Sequence, residues 1–74
     1  MRTFEDSDGR WWDVAVTEES YGTERLIFAA RKSAELRSCE LDVSNRHAAE
    51  RILLDLSETD LRALLAKSTE WRPG

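Results

Sequence analysis

The stretch that decides how this chain folds reads Glu5-Asp6-Ser7-Asp8-Gly9-Arg10-Trp11-Trp12-Asp13-Val14. Asp8-Gly9 is a strong hairpin-turn signal with apolar residues on both sides. Two registers are open to it. A two-residue Asp8-Gly9 loop sets Phe4 opposite Asp13. A three-residue Ser7-Asp8-Gly9 loop pairs Asp6 with Arg10 and sets Phe4 opposite Trp12. Only the second gathers Phe4, Trp12, Val14 and Val16 on one face, and it gives Gly9 the left-handed position of a bulged hairpin. A slip of one residue sends every side chain to the other face, so the hydrophobic pattern selects the three-residue loop. Neighbouring side chains in a strand point to opposite faces. Trp12 therefore turns inward, and Trp11 turns outward with Asp13, Ala15 and Thr17.

The same alternation extends down the chain. The second strand runs from about Arg10 to Thr17, and Glu19-Ser20-Tyr21-Gly22 reads as a turn. A third strand, from about Glu24 to Arg31, carries Leu26, Phe28 and Ala30 against Ile27 and Ala29. It is apolar on both faces, as an inner strand should be. Residues 31–35 form a loop. A fourth strand, Leu36 to Val43, sets Cys39, Leu41 and Val43 against Ser38, Glu40 and Asp42. Short connections make an antiparallel meander the simplest assembly.

The spacing then changes from two to 3.6. Ala48, Ala49, Ile52, Leu53 and Leu56 form one helical stripe, with Ser44 or Asn45 as its cap. Ser57-Glu58-Thr59-Asp60 is a capping box with Asp in the place of the usual Glu, and Leu56 and Leu61 occupy the positions of a hydrophobic staple. Leu61, Leu64 and Leu65 continue that second helix to about Ser68. The expected fold is a single α+β domain over residues 1–74. It comprises a four-stranded antiparallel β-meander (1–43), two short C-terminal helices on one sheet face (44–68) and an irregular tail (69–74) in which Trp71 folds back.

Composition limits the function classes. The 74 residues carry a net charge of −4, one Cys and one His. No internal disulfide is possible, and the soft ligands of a structural zinc site are missing from a single chain. A small core gains stability from partners when disulfides and metals are absent. No apolar leader or membrane-length run is present. Together with an uncrosslinked Cys, this leads us to expect a cytoplasmic protein. The acidic total disfavours general nucleic-acid or anionic-membrane binding.

No catalytic pattern emerges. Cys39 and His47 are the only soft nucleophile and the only imidazole, and neither sits in a catalytic signature. Cys39 reads as a small core hydrophobe and His47 as an exposed residue of a first helical turn. The carboxylates cluster in turns, where solvation and local backbone bonding are their usual roles. A calcium loop started at Asp6 would need an acid at its twelfth position, where Thr17 stands. The three glycines are too far apart to cradle a phosphate. We therefore expect no enzyme and no cofactor or metal.

The outward Trp is the residue that the fold alone leaves without a use. Exposed Trp and Arg anchor protein interfaces. The sequence thus points to a small protein–protein interaction module, a regulator or inhibitor that binds a protein partner or itself as a homodimer. Its surface would be the open sheet face or an edge strand that extends a partner's sheet, centred on Arg10, Trp11, Asp13 and Ala15. The alternatives are a nucleic-acid-binding domain, with Arg31, Lys32 and Arg37 as phosphate contacts beside the exposed Trp, and a homo-oligomeric subunit of a larger assembly.

Overall fold

The computed structural model describes residues 1–18, 23–43 and 45–71, apart from the side chain of Glu18. The expected turn at residues 19–22, Ser44 as a cap, and residues 72–74 of the tail lie outside the described residues. The elements in chain order are β1 (Arg2–Glu5), β2 (Trp11–Glu18), β3 (Glu24–Ala30), β4 (Leu36–Glu40), α1 (Arg46–Asp55), α2 (Glu58–Lys67) and β5 (Thr69–Glu70). The strands form one antiparallel sheet in the order β1-β2-β3-β4-β5. The domain is α+β, with both helices on one face of the sheet.

The first hairpin has the three-residue loop. Phe4 pairs with Trp12 and Glu5 with Trp11. Asp6 N–H donates to Arg10 O at 2.8 Å, and Gly9 N–H donates to Asp6 O at 3.2 Å. Gly9 has φ of +81°, a conformation that costs glycine little and other residues more. The register then carries through the sheet, with Val14 opposite Phe28 and Ala15 opposite Ile27.

Two expectations need correction. The fourth strand ends at Glu40 rather than Val43. Leu41 N–H donates to Glu24 O, but Glu24 N–H reaches past it to Val43 O. One residue of β3 thus bonds to two separated residues, and the regular ladder stops there. The tail is also not irregular throughout: Thr69–Glu70 is a fifth strand on the outer edge of β4. Trp71 N–H extends that ladder by donating to Leu36 O at 3.0 Å.

The core lies between the sheet and the helices. Phe4, Trp12, Val14, Val16, Leu26 and Phe28 meet Ala49, Leu53 and Leu61. Phe4 and Phe28 pack edge to face with centroids 6.1 Å apart, a favoured aromatic geometry. Local chemistry sets the helix starts. Asn45 Oδ1 accepts from Ala48 N–H at 3.0 Å. Ser57 Oγ accepts from Asp60 N–H, and Asp60 Oδ2 accepts from Ser57 N–H, so Asp completes the capping box. Arg2 ties β1 to the other end of α1. Its Nη1 donates to Leu53 O at 2.9 Å and also to Leu56 O, and a cation is favoured at a helix C-terminus.

Candidate functional site

With both helices on one face, the other face of the sheet carries no layer of described residues. Strand alternation puts Trp11, Asp13, Ala15 and Thr17 of β2 there, with Ile27 and Ala29 of β3 and Leu36 of β4. None of these joins the core cluster. Ala15, Ile27, Ala29 and Leu36 are half-buried by their neighbours, and Trp11 is 47% exposed. Trp71, placed beside Leu36 by its backbone bond, is half-buried too. Polar links cross this face. Thr3 Oγ1 donates to Asp13 Oδ1 at 2.8 Å, and Arg31 Nε donates to the same oxygen at 3.2 Å. These bonds, the one from Thr3 first, hold the Asp13 carboxyl below its ordinary pKa.

Arg10 does not share that face. Its guanidinium lies over the Trp12 ring, 4.9 Å from the centroid, in a cation–π arrangement. It also donates to Glu35 Oε1 at 3.0 Å. Trp12 is 2% exposed, so Arg10 closes the end of the core while Trp11 marks the end of the open face. Beneath them Asp6 organises the turn. Its Oδ1 accepts from the N–H groups of Asp8 and Arg10, each at 2.9 Å, and its Oδ2 accepts from Trp12 Nε1 at 2.8 Å. Burial raises the Asp6 carboxyl pKa, but these bonds and the Arg10 charge outweigh it, and the net position is below the ordinary value.

The β3–β4 loop comes to the same end of the sheet. Arg31 N–H donates to Trp11 O at 3.0 Å, which fixes the loop against the first hairpin. A cavity of about 420 Å³ lies between them, lined by Arg10, Trp11, Arg31, Lys32 and Ser33 over Gly9 and Ala30. Two groups that stand apart in the sequence, Arg10 with Trp11 and Arg31 with Lys32, thus share one site. Arg37 does not line the cavity, although it shares the Glu35 carboxylate with Arg10. Its Nε donates to Ser68 Oγ at 2.8 Å, and it pairs with Glu35 at 3.6 Å on the helix side.

Cys39 packs half-buried against the core, and burial pushes its thiol pKa up. His47 is exposed in the first turn of α1. No hydrogen bond joins them among the described residues, and no group of three or more His, Cys, Asp or Glu there is placed to hold a metal ion. Sequence reasoning gave the turn carboxylates their local backbone bonds but missed the bond from Trp12 to Asp6, which ties the turn to the core. It also missed Glu24, which continues the inward face of Leu26 and Phe28 and is 1% exposed.

The chain matches no known family model, no curated protein and no solved structure. No described helix is long and apolar enough to cross a membrane.

Proposed function

We propose that this chain is a small non-enzymatic module that binds a protein, itself included, through the open face of its sheet. The observation that carries the reading is the one-sided placement of the helices. It leaves Ala15, Ile27, Ala29 and Leu36 in an unlayered apolar field with Trp11 at one end. Charge-poor centres with aromatic anchors and polar rims are the anatomy of protein interfaces. Asp13, Arg31 and Thr3 form a polar rim of that kind. The edges of the sheet are β1 and β5, so β2 acts through its face and not as an added strand. A cytoplasmic regulator that covers a site on its partner is the finer form of this proposal. It accords with a net charge of −4 and a free Cys39.

The test is Ile27→Glu, a charge in the middle of the face and away from the cavity. Solution mass is measured for both proteins, and both are used as bait in the native host. A mass above 8.5 kDa that drops in the variant identifies self-association through this face. A bound protein lost only by the variant identifies a partner. A monomeric wild type whose captured proteins are all retained by the variant contradicts the proposal.

A further inference from the structure

We propose that the cavity between the first hairpin and the β3–β4 loop is a binding site for a nucleoside phosphate. The base would stack on Trp11, and Lys32 and Arg31 would hold the phosphate. The cavity volume of about 420 Å³ falls within the range of small-molecule sites. Its lining combines one exposed indole with the cations Arg10, Arg31 and Lys32 and, among the described residues, no acid; Glu35 and Asp13 pair with two of these cations from its margin. Lys32 is thus the one lining cation that carries no ion pair among the described residues.

The cations are available. Lys32 is exposed and makes no ion pair or hydrogen bond among the described residues. Arg10 and Arg31 pair with Glu35 and Asp13, but their side chains are 44% and 52% exposed. Exposed pairs of this kind contribute little and exchange partners readily. Ser33 Oγ accepts from Arg10 Nη2 and from Glu35 N–H, which leaves its own O–H to donate to an incoming oxygen. The indole gives the second half of the recognition. An aliphatic acid could meet the cations but would leave the Trp11 face in water. A planar base attached to a phosphate uses both, since bases of every sequence stack on aromatic rings. The ligand is a free mononucleotide or a nucleotide unit of a single strand.

The probes are AMP, adenosine, inorganic phosphate and a 5′-phosphorylated single-stranded oligoadenylate, titrated by calorimetry and by amide chemical shifts. AMP should saturate, with residues 9–11 and 31–33 shifting most. Adenosine and phosphate alone should each bind at least about tenfold more weakly. Trp11→Ala should weaken AMP by about tenfold or more. Lys32→Ala should weaken it about three- to tenfold; that side chain has no partner to lose, so the variant folds. If the oligomer binds more tightly than AMP, with a log–log salt slope near about −2 for three cations, the source is a strand. If it binds no better, the source is the free nucleotide. Three outcomes overturn the proposal: no saturation by AMP or the oligomer below about 10 mM, phosphate equal to AMP, or affinities that Trp11→Ala and Lys32→Ala leave unchanged. Ile27→Glu should bind AMP as the wild type does, which separates this site from the sheet-face interface.

Discussion

The indole N–H of Trp12 donates to the carboxylate of Asp6 at 2.8 Å, across the loop that joins β1 to β2. The same carboxylate accepts two backbone N–H groups of that loop. A core residue and a turn are thereby tied to one side chain. Asp6→Ala removes three acceptor contacts and leaves the Trp12 N–H unpaired at the core edge. The expected cost is about 1–3 kcal/mol, read by urea denaturation at neutral pH. Asp6→Asn keeps one acceptor oxygen and should cost less. The pH dependence has a definite sign. A carboxyl whose folded pKa is depressed contributes stability above its unfolded pKa and loses it as pH falls through the folded value. The gap between wild type and Asp6→Asn should be level from pH 5 to 8 and shrink below about pH 4.

Arg2 is the next handle. Its guanidinium meets two carbonyls at the C-terminal end of α1, Leu53 O and Leu56 O. Arg2→Met keeps the aliphatic stem and removes the donors. We expect a loss of about 1–2 kcal/mol, with amide exchange accelerated most in the last turn of α1. Equal acceleration along the whole helix would mean that Arg2 acts on global stability alone.

Glu24 is a cost carried inside the fold. It is 1% exposed, and both of its carboxylate oxygens lack a hydrogen-bond partner among the described residues. Burial of an unpaired carboxylate is unfavourable, and an apolar replacement of similar volume relieves it. Glu24→Met should raise stability by about 1–3 kcal/mol. An unchanged or lower midpoint in urea would contradict this.

Cys39 gives a chemical test of the packing. Its thiol is half-buried with a raised pKa, burial being the main cause. The thiolate is the reactive form. Alkylation of the native protein at pH 8 should run at least about tenfold slower than that of the protein in denaturant. Equal rates would place the sulfur in solvent.

What the sequence disclosed follows from how local the signals are. The Phe4–Trp12 register was legible because Gly9 and the alternation of Val14 and Val16 speak for the same loop length. The start of the second helix was legible to the residue because Ser57 and Asp60 bond to each other's backbone. Thr69–Glu70 was not. It pairs through backbone groups with residues far earlier in the chain, and two exposed polar residues carry no periodicity. Arg37 was misplaced for a related reason. It lies just past the charged β3–β4 loop in sequence, but strand alternation turns it to the helix side, where it meets Ser68, 31 residues away. The cavity was half legible. Trp11 and the Arg31-Lys32 pair each stood out, but only the bond from Arg31 N–H to Trp11 O puts them in one place.

The position of β5 also sets an order of events. Strands β1 to β4 can pair in succession through short loops, each closure costing little chain entropy. The β4–β5 pairing encloses both helices, so it closes a longer stretch of chain than any other pairing of the sheet. It rests on a two-residue ladder extended by one bond from Trp71 N–H. Short pairings at a sheet edge are expected to open while the rest is still intact. Trp71, whose N–H is held by Leu36 O, is a built-in optical reporter for that opening. Its emission should change before that of Trp12, which is fixed in the core, so a single chain carries separate clocks for its edge and its centre.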